Sequence, residues 1–425
     1  MSLLIPRKGL RLAYALQSRA FAWFWLGQTI SALGDGAFAT ALAIAVYQLT
    51  GSSLAMGLFL TAQIIPELLF TLFGGVAADR LPRRKVLMGA DTARALTVLM
   101  IALLAWLKLL HLWHLFVLAI LFGFARSFFN PAYRAITPEL VVKEHLASAN
   151  ALTSLSIQFG NFLGPVLGAG FIALGGGSAS AAFAFDSLTF VISVCSLLAI
   201  RALPVTTLDP DTEETKQSIG LKSMAQDVAE GFRTILASTW LSWSLIVATF
   251  GLVAYTGAMA VALPKMVFAV YASGPWLLAA ITTAVGIGAV GGAIFVGQLP
   301  LRRRGIIAFL GYILAGLALI AFSIPLPRAS APFIAVPAAF AVGFGMYVMH
   351  TIWATLLYEL VPNEKLGRVA SVDLLGSLGL LPLGYVLAGL LSDHFGPPSV
   401  FLSGGLLMVI LNIVPLFLRD IRKLQ

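Results

Sequence analysis

The sequence predicts an all-α integral membrane protein, with twelve transmembrane helices in two six-helix, pseudo-symmetric halves. Three observations predict it. The 425 residues have a mean hydropathy of +0.95 and only 11% are charged, against about 25% in a soluble domain. Apolar segments of about 20 residues recur along the chain, each long enough to cross roughly 30 Å of hydrocarbon. Finally, a single offset of 220 residues relates motifs of the first half to motifs of the second.

Backbone groups find no partners in lipid, so the apolar segments must be helices, and the alternation expected of a membrane barrel is missing. The spans lie near 21–48, 54–77, 87–107, 113–137, 148–174, 180–202, 240–270, 275–299, 305–325, 332–358, 369–392 and 399–418. Cations mark every second loop. Arg7, Lys8, Arg11 and Arg19 precede span one, and Arg80, Arg83, Arg84 and Lys85 follow span two. Lys143 follows span four, and Lys216, Lys222 and Arg233 follow span six. Arg302, Arg303 and Arg304, then Lys365 and Arg368, then Arg419, Arg422 and Lys423 continue the series, while the opposite loops offer little beyond Lys108 and Arg328. This asymmetry puts both termini in the cytoplasm, so the expected location is multi-pass in a bacterial cytoplasmic membrane. The net charge of +9 belongs to that pattern and does not call for a nucleic-acid partner. The basic start runs into a span too long for a signal peptide, with no small-residue cleavage site. One cysteine, Cys195, excludes an intramolecular disulfide and reads as a buried apolar thiol.

The repeat is visible in "PELVVKEHLASANAL", from Pro138, and "YELVPNEKLGRVASV", from Tyr358. Glu139, Leu140, Val141, Glu144 and Leu146 match Glu359, Leu360, Val361, Glu364 and Leu366. The same offset carries Arg83 and Arg84 onto Arg303 and Arg304, and Gly164 onto Gly384. A repeat of six spans enters the membrane from the same side in each copy, and such parallel repeats place a substrate site near the midplane. The expected organisation is an N-terminal bundle over 1–202, a cytoplasmic linker over 203–239 and a C-terminal bundle over 240–425. The linker holds the acidic "LDPDTEETKQS" and then "LKSMAQDVAEGFRTIL", which reads as an amphipathic helix at the membrane face.

The turn "GGVAADRLPRRKVL", from Gly74, is more than a run of cations. Gly74 and Gly75 allow close helix approach. Asp79 can accept from a neighbouring helix N-terminus, whose partial positive charge favours a carboxylate. Arg83 and Arg84 can pair with acids at other helix ends, with Glu139 and Asp91 the candidates, and Arg94 lies one turn beyond Asp91. Such contacts would latch one conformation and set a population ratio. The competing reading is a positive-inside anchor with an incidental acid.

This turn resembles the signature loop of the major facilitator superfamily, G-x-x-x-D-R-x-G-R-R. Gly75, Asp79, Arg80, Arg83 and Arg84 match it, and Pro82 stands where the family usually has Gly. The second copy keeps Arg303 and Arg304, with Leu299 at the Asp position. The resemblance implies the major facilitator fold and a role for the loop in the conformational switch. "GNFLGPVLGAG" resembles the span-five pattern of the family's exporters, G-x-x-x-G-P-x-x-G-G, through Gly160, Gly164, Pro165 and Gly168. That pattern tends to mark proton-coupled antiporters; physically, small residues at this spacing permit tight helix contact and Pro165 permits a bend. "SALGDGAFATALAIAVYQLTGSS" and "PAYRAITPELV" look like the branch holding enterobactin exporters and macrolide efflux proteins, which implies export of sizeable, rather apolar molecules.

A charge at mid-bilayer costs about 2.5–3.5 kcal/mol on insertion scales, so each needs a reason. Asp35, between Gly34 and Gly36 in span one, reads as a proton carrier or a counter-charge for a cationic substrate, against a packing carboxylate. Glu67 follows Pro66 in span two, where a bend could aim it at a cavity, and Arg126 in span four is a partner for either acid or for an anionic substrate group. For Asp186 and Lys265, gating and helix pairing compete, and pairing is the favoured reading. His350 in span ten could titrate near neutral pH or simply pack. Trp25, Phe38, Phe128 and Trp353 are expected at the level of the cavity.

Other chemistry is excluded. His111 and His114 have a spacing that suits a metal but no third ligand, so no metal is expected. "GIGAVGG", from Gly286, fits G-x-G-x-x-G but lacks the strand that fingerprint requires; Gly288 and Gly292 form a close-packing face instead. No P-loop, nucleophile elbow, HExxH or CxxC pattern appears. The expectation is a monomeric secondary transporter, not an enzyme. It needs no cofactor and draws on the proton gradient, and its partners are the bilayer and a small-molecule substrate. The leading reading is antiport-type multidrug or siderophore efflux by alternating access; a facilitator, an importer or a lipid flippase of the same fold is the alternative.

Overall fold

The computed structural model describes residues 11–200, 221–299 and 302–424. Arg7, Lys8, Lys216 and the acidic segment "LDPDTEETKQS" lie outside the described residues. Among those described there is no strand, and twelve helical spans are long and apolar enough to cross a membrane. Contacts divide the chain into two units, Met1–Ala41 with Ile65–Thr207, and Leu42–Ile64 with Leu208–Gln425. The sequence reading placed all of 1–202 in one bundle; by contacts, residues 42–64 join the second unit.

The first unit is built from α1 (Arg19–Thr50), α2 (Ser53–Arg80), α3 (Arg83–Trp106), α4 (Leu112–Leu140), α5 (Leu146–Leu174) and α6 (Ser180–Ala199), the first two contributing residues 19–41 and 65–80. Pro66, Pro131, Pro138 and Pro165 sit inside helices, which neighbouring helices and side chains make tolerable in membrane segments. A core of Phe21, Phe24, Leu87, Ile136, Leu140 and Leu197 fills the end of the unit that carries Arg83 and Arg84.

The seam between α1 and α5 sets the geometry of the unit. Trp25 Nε1 donates to Leu152 O at 3.1 Å and Thr29 Oγ1 lies 2.7 Å from Ser156 Oγ. Further along, a Cβ on Gly160 would stand 2.4 Å from Ala32 O, one on Gly164 2.5 Å from Gly36 Cα, and one on Gly168 2.6 Å from Ala37 O. Contacts recurring every four residues are one helical face, and only small residues let two backbones meet along it.

The second unit holds α7 (Leu221–Leu236), α8 (Thr239–Thr256), α9 (Leu263–Lys265), α10 (Pro275–Gln298), α11 (Arg304–Phe322), α12 (Ala331–Leu360), α13 (Asn363–Gly379), α14 (Leu381–Phe395), α15 (Pro397–Ile413) and α16 (Arg419–Arg422). Two π-turns, Gly257–Ala262 and Met266–Val270, join α8 and α9 into one span around Pro264, whose missing N–H breaks the regular ladder. Gly288 and Gly292 do form a packing face: a Cβ on them would come within 2.1 Å of Phe340 O and 2.6 Å of Phe344 O. Gly51, at φ +62°, supplies the left-handed residue of the tight α1–α2 turn.

Both copies of the repeat carry an ion pair between neighbouring helix ends. Arg83 meets Glu139 at 2.6 Å, and Arg304 meets Glu359 at 2.8 Å. The acids keep the 220-residue offset, whereas the base slips by one position, from the expected Arg303 to Arg304. Leu69, Phe73, Trp106, Leu174 and Phe333 lie on the outer surface, an apolar area too large for water and suited to lipid. Cys195 is also exposed, correcting its reading as a buried thiol. It lies on the outward face of α6, where an apolar environment is supplied by lipid and not by a core.

Candidate functional site

The site is a pocket of about 380 Å³ inside the first unit. Helix α1 lines it with Gln28, Ser31, Ala32 and Asp35, spaced for one helical face; α4 adds Phe129, Asn130, Tyr133 and Arg134. Arg94 of α3 and Thr153 and Ile157 of α5 complete the wall. The lining mixes apolar and polar side chains, as small-molecule sites generally do.

The glycines beside Asp35 explain how an acid comes to stand there. A Cβ on Gly34 would lie 2.4 Å from Asp186 Oδ1 and 2.2 Å from Thr189 Oγ1, and one on Gly36 2.3 Å from Gly160 O. So Gly34 admits α6 and Gly36 admits α5, and the residue between them faces the space left over. Asp35 is open to the pocket.

Arg94 is almost wholly buried and pairs with Asp91 one turn earlier. Its guanidinium lies over the rings of Phe129 and Phe190, 3.8 and 4.5 Å from their centroids, a cation–π sandwich. Ser193 Oγ donates to Asp91 Oδ2 at 2.6 Å, and Gln28 Nε2 donates to Ser193 Oγ at 2.8 Å. Among the described residues Arg94 Nε has no acceptor, although unpaired buried donors are uncommon. Nor does Asp186 Oδ2 have a donor. Tyr133 hydrogen-bonds Thr153. Arg134 is exposed, and no hydrogen bond or ion pair within its unit engages it.

The sequence candidates separate into three groups. Asp35 lines the pocket directly. Glu67 accepts from Asn130 Nδ2 at 2.7 Å and faces Arg126 Nε at 3.5 Å, so both charges reach the pocket through Asn130. The span-five glycines form the wall behind Asp35. Asp91 and Arg94 are corrected: expected in a latch at the loop, they lie buried in the pocket network. Eight and eleven residues beyond Arg83, they stand roughly 12 and 16 Å further along the helix axis.

At the loop itself, Arg83 also donates to Ala135 O at 2.9 Å, and Arg84 donates to Leu197 O and Leu198 O at 2.6 and 3.0 Å. Cations are favoured at those last carbonyls of α6. Asp91 is therefore not the partner of either arginine. Asp79 and Arg80 are exposed and make no hydrogen bond or ion pair with the described residues of their unit. Gly74 packs on Ser127 O, but a Cβ on Gly75 would meet open space, so of the two glycines only Gly74 serves close approach.

None of Trp25, Phe38, Phe128, Trp353 and His350 lines this pocket. Phe38 is buried against Phe122 and Phe183, and Trp25 is tied into the α1–α5 seam. Phe128 packs against Phe124 at a tilt, one residue off the lining face. Trp353 is buried against Trp240, and His350 is exposed beside Tyr347. Large rings gain more by filling helix seams than by standing in a wet hollow. Asp186 packs on Thr189 without a cationic partner, whereas Lys265 does pair, with Asp393 of α14 at 2.6 Å.

The sequence reading passed over Gln28, Asn130, Tyr133, Arg134 and Thr153, and over Asp373 and Asp393 in the later helices. Three of these were within reach. Arg134 lies inside expected span four and Asp373 inside span eleven, where the rule that flagged Arg126 applies equally; Asp393 falls one residue past the expected end. Uncharged polar residues carry no such marker. Among the described residues no His, Cys, Asp and Glu cluster could hold a metal.

Comparison with known proteins gives one answer. The family model for the Major Facilitator Superfamily matches residues 24–379. The multidrug efflux pump Tap of Mycolicibacterium fortuitum is 30% identical over 405 residues, covering 92% of this chain and 94% of that one. The enterobactin exporter EntS of Salmonella choleraesuis is 27% identical over 413 residues, covering 96% and 94%. Macrolide efflux protein A of Streptococcus pyogenes is 24% identical over 408 residues, covering 95% and 97%. A mutant form of the nucleoside transporter NupG superposes with a TM-score of 0.72 at 14% identity, covering 93% of this chain and 98% of that one. A bacterial homologue of the iron transporter ferroportin gives 0.70 at 15%, with the same coverage. At such low identity the solved structures speak for the fold alone. A family model across most of the chain, relatives matched nearly end to end and a pocket walled by membrane helices lead to one conclusion: the chain belongs to the Major Facilitator Superfamily and is a multi-pass membrane transporter, not an enzyme.

Proposed function

We propose that the protein exports amphiphilic small molecules from a bacterial cell, driven by protons entering through Asp35, in an alternating-access cycle. The observation that carries this is an aspartate in the middle of a membrane helix, held between two glycines and open to a pocket of about 380 Å³. A carboxylate there is costly to insert and is free to exchange a proton with whatever enters the pocket. The efflux relatives support the export direction. The loop cations support a cytoplasmic position for both termini and, with bacterial relatives, the cytoplasmic membrane. The free Asp79 and Arg80 at the exposed end of α2 are the groups available to a conformational latch, and the Arg83–Glu139 pair would position that end.

The test uses proteoliposomes loaded with erythromycin or rhodamine 123. An imposed inward proton gradient accelerates efflux of at least one of them from wild-type vesicles. Asp35→Asn abolishes that acceleration yet, at saturating substrate, retains exchange of internal for external substrate, which needs no proton. Gradient-driven efflux persisting in Asp35→Asn would remove Asp35 from the coupling step.

A further inference from the structure

The pocket holds two ionic groups that the protein itself leaves available, and they have opposite sign. Arg94 and Asp91 neutralise one another. What remains is Asp35 on α1 and Arg134 on α4, which has no partner within its unit. Arg94 adds one buried donor, Nε, that no described residue satisfies. The same wall carries the ring of Phe129 and the side chains of Ala32 and Ile157. A round cavity of this volume is about 9 Å across, so a single small molecule can span both charges.

From this we infer that the pocket selects amphoteric amphiphiles. A cationic amine sits at Asp35, an anionic carboxylate or comparable acid sits at Arg134, and a flat apolar body lies on Phe129. The sign of each contact follows from the coupling, and to that extent the inference rests on the export reading above. A cation at Asp35 favours the ionised carboxylate and so displaces its proton, as exchange requires. A purely anionic substrate would favour protonated Asp35 and bind together with the proton, the opposite coupling. The anion-binding arginine therefore contributes selectivity, and it does so without disturbing the proton step only when the same molecule also carries a cation. Charge-assisted contacts of this kind are the stronger hydrogen bonds, and a site built for one rejects the analogue that lacks it.

Three xanthene dyes with one ring system test this. Rhodamine 110 carries a cationic ring and a free carboxylate, rhodamine 123 is its methyl ester, and fluorescein is anionic. Binding to the purified full-length protein in mild detergent is followed by fluorescence polarisation. Wild type should bind rhodamine 110 about tenfold more tightly than rhodamine 123, which corresponds to about 1.4 kcal/mol, and should bind fluorescein more weakly than either. Arg134→Gln should bring rhodamine 110 down to the affinity of rhodamine 123 without changing the latter, and Arg134→Lys should recover part of the difference. Melting temperatures of both variants confirm that they are folded. In weakly buffered solution, rhodamine 110 should release a proton from wild type and none from Asp35→Asn. Equal affinity of wild type for the acid and its ester, or an affinity ratio that Arg134→Gln leaves intact, overturns the inference. Loss of the proton signal alone, with the ratio preserved, overturns the coupling role of Asp35 and leaves the recognition chemistry standing.

Discussion

Replacing Gly164 with alanine places one methyl group where α5 meets α1. The added Cβ would lie 2.5 Å from Gly36 Cα, 2.8 Å from Gly36 C and 3.0 Å from Ala37 N, all backbone atoms that no rotamer change can move aside. Carbon atoms in good contact are about 3.5–4.0 Å apart, so the helices must part by roughly 1 Å. Overpacking of this kind costs about 1–3 kcal/mol, offset by up to about 1 kcal/mol from the better helix propensity of alanine. Gly170, on the same helix, is the control: nothing lies within 4 Å of a Cβ built there. Gly170→Ala should be neutral or raise stability by up to about 1 kcal/mol. The functional effect should exceed the effect on stability, because Gly36 adjoins Asp35 and displacement of a working group by about 1 Å is expensive in a precise site. We expect Gly164→Ala to lower the melting temperature in detergent and to slow gradient-driven efflux about tenfold or more, with Gly170→Ala near wild type in both. If the two substitutions shift stability and transport by the same amounts, the close seam does not hold Asp35 in place.

Other perturbations probe the ionic contacts. Asp393 accepts from Ser53 N at 2.9 Å, Leu54 N at 3.1 Å and Lys265 Nζ at 2.6 Å, and also from Ser52 Oγ, so a residue of α14 caps the start of α2. Loss of a cap costs about 1 kcal/mol and loss of an ion pair whose side chains are 21% and 22% exposed up to about 1 kcal/mol; Asp393→Ala should thus destabilise by about 2 kcal/mol and speed hydrogen exchange at the Ser53 and Leu54 amides, and unchanged exchange would refute the capping role. A double-mutant cycle on Arg83 and Glu139, whose side chains are 26% and 25% exposed, should return about 0.5–1 kcal/mol of coupling; the Arg304–Glu359 pair, with its acid 47% exposed, should return less, and the reverse order would contradict the burial argument. Gly75→Ala, with open space at its Cβ, should leave transport intact, whereas Gly74→Ala, facing Ser127 O at 2.0 Å, should impair it.

Much of this is legible in the amino-acid sequence. Twelve spans, the loops that carry cations and the duplicated acid at Glu139 and Glu359 depend on runs of about 20 residues or on fixed spacing, both properties of a linear string. The glycine face of α5 could be read for the same reason, since Gly160, Gly164 and Gly168 recur at the helical period whatever they touch. Asp35 and Glu67 stood out because charge is rare where the chain is otherwise apolar. The aromatic residues expected at the level of the cavity do not line the first-unit pocket, because the pattern of a helix names its faces without saying which one meets a neighbour. Phe128 and Phe129 are adjacent in sequence, and only the second reaches the pocket.

Sequence by itself therefore determined that the chain crosses a membrane many times, where the crossings fall and which residues are too polar to lie there without a purpose. Tertiary structure alone decided that Arg94 leaves the loop and joins Asp35, that Arg134 stands unpaired in the same hollow, and that Gly34 and Gly36 make room for different helices. The physical reason is that hydrophobic length and charge cost act on each segment separately. The partner of a side chain depends on how helices distant in sequence rotate and press together, and that is settled only when they pack.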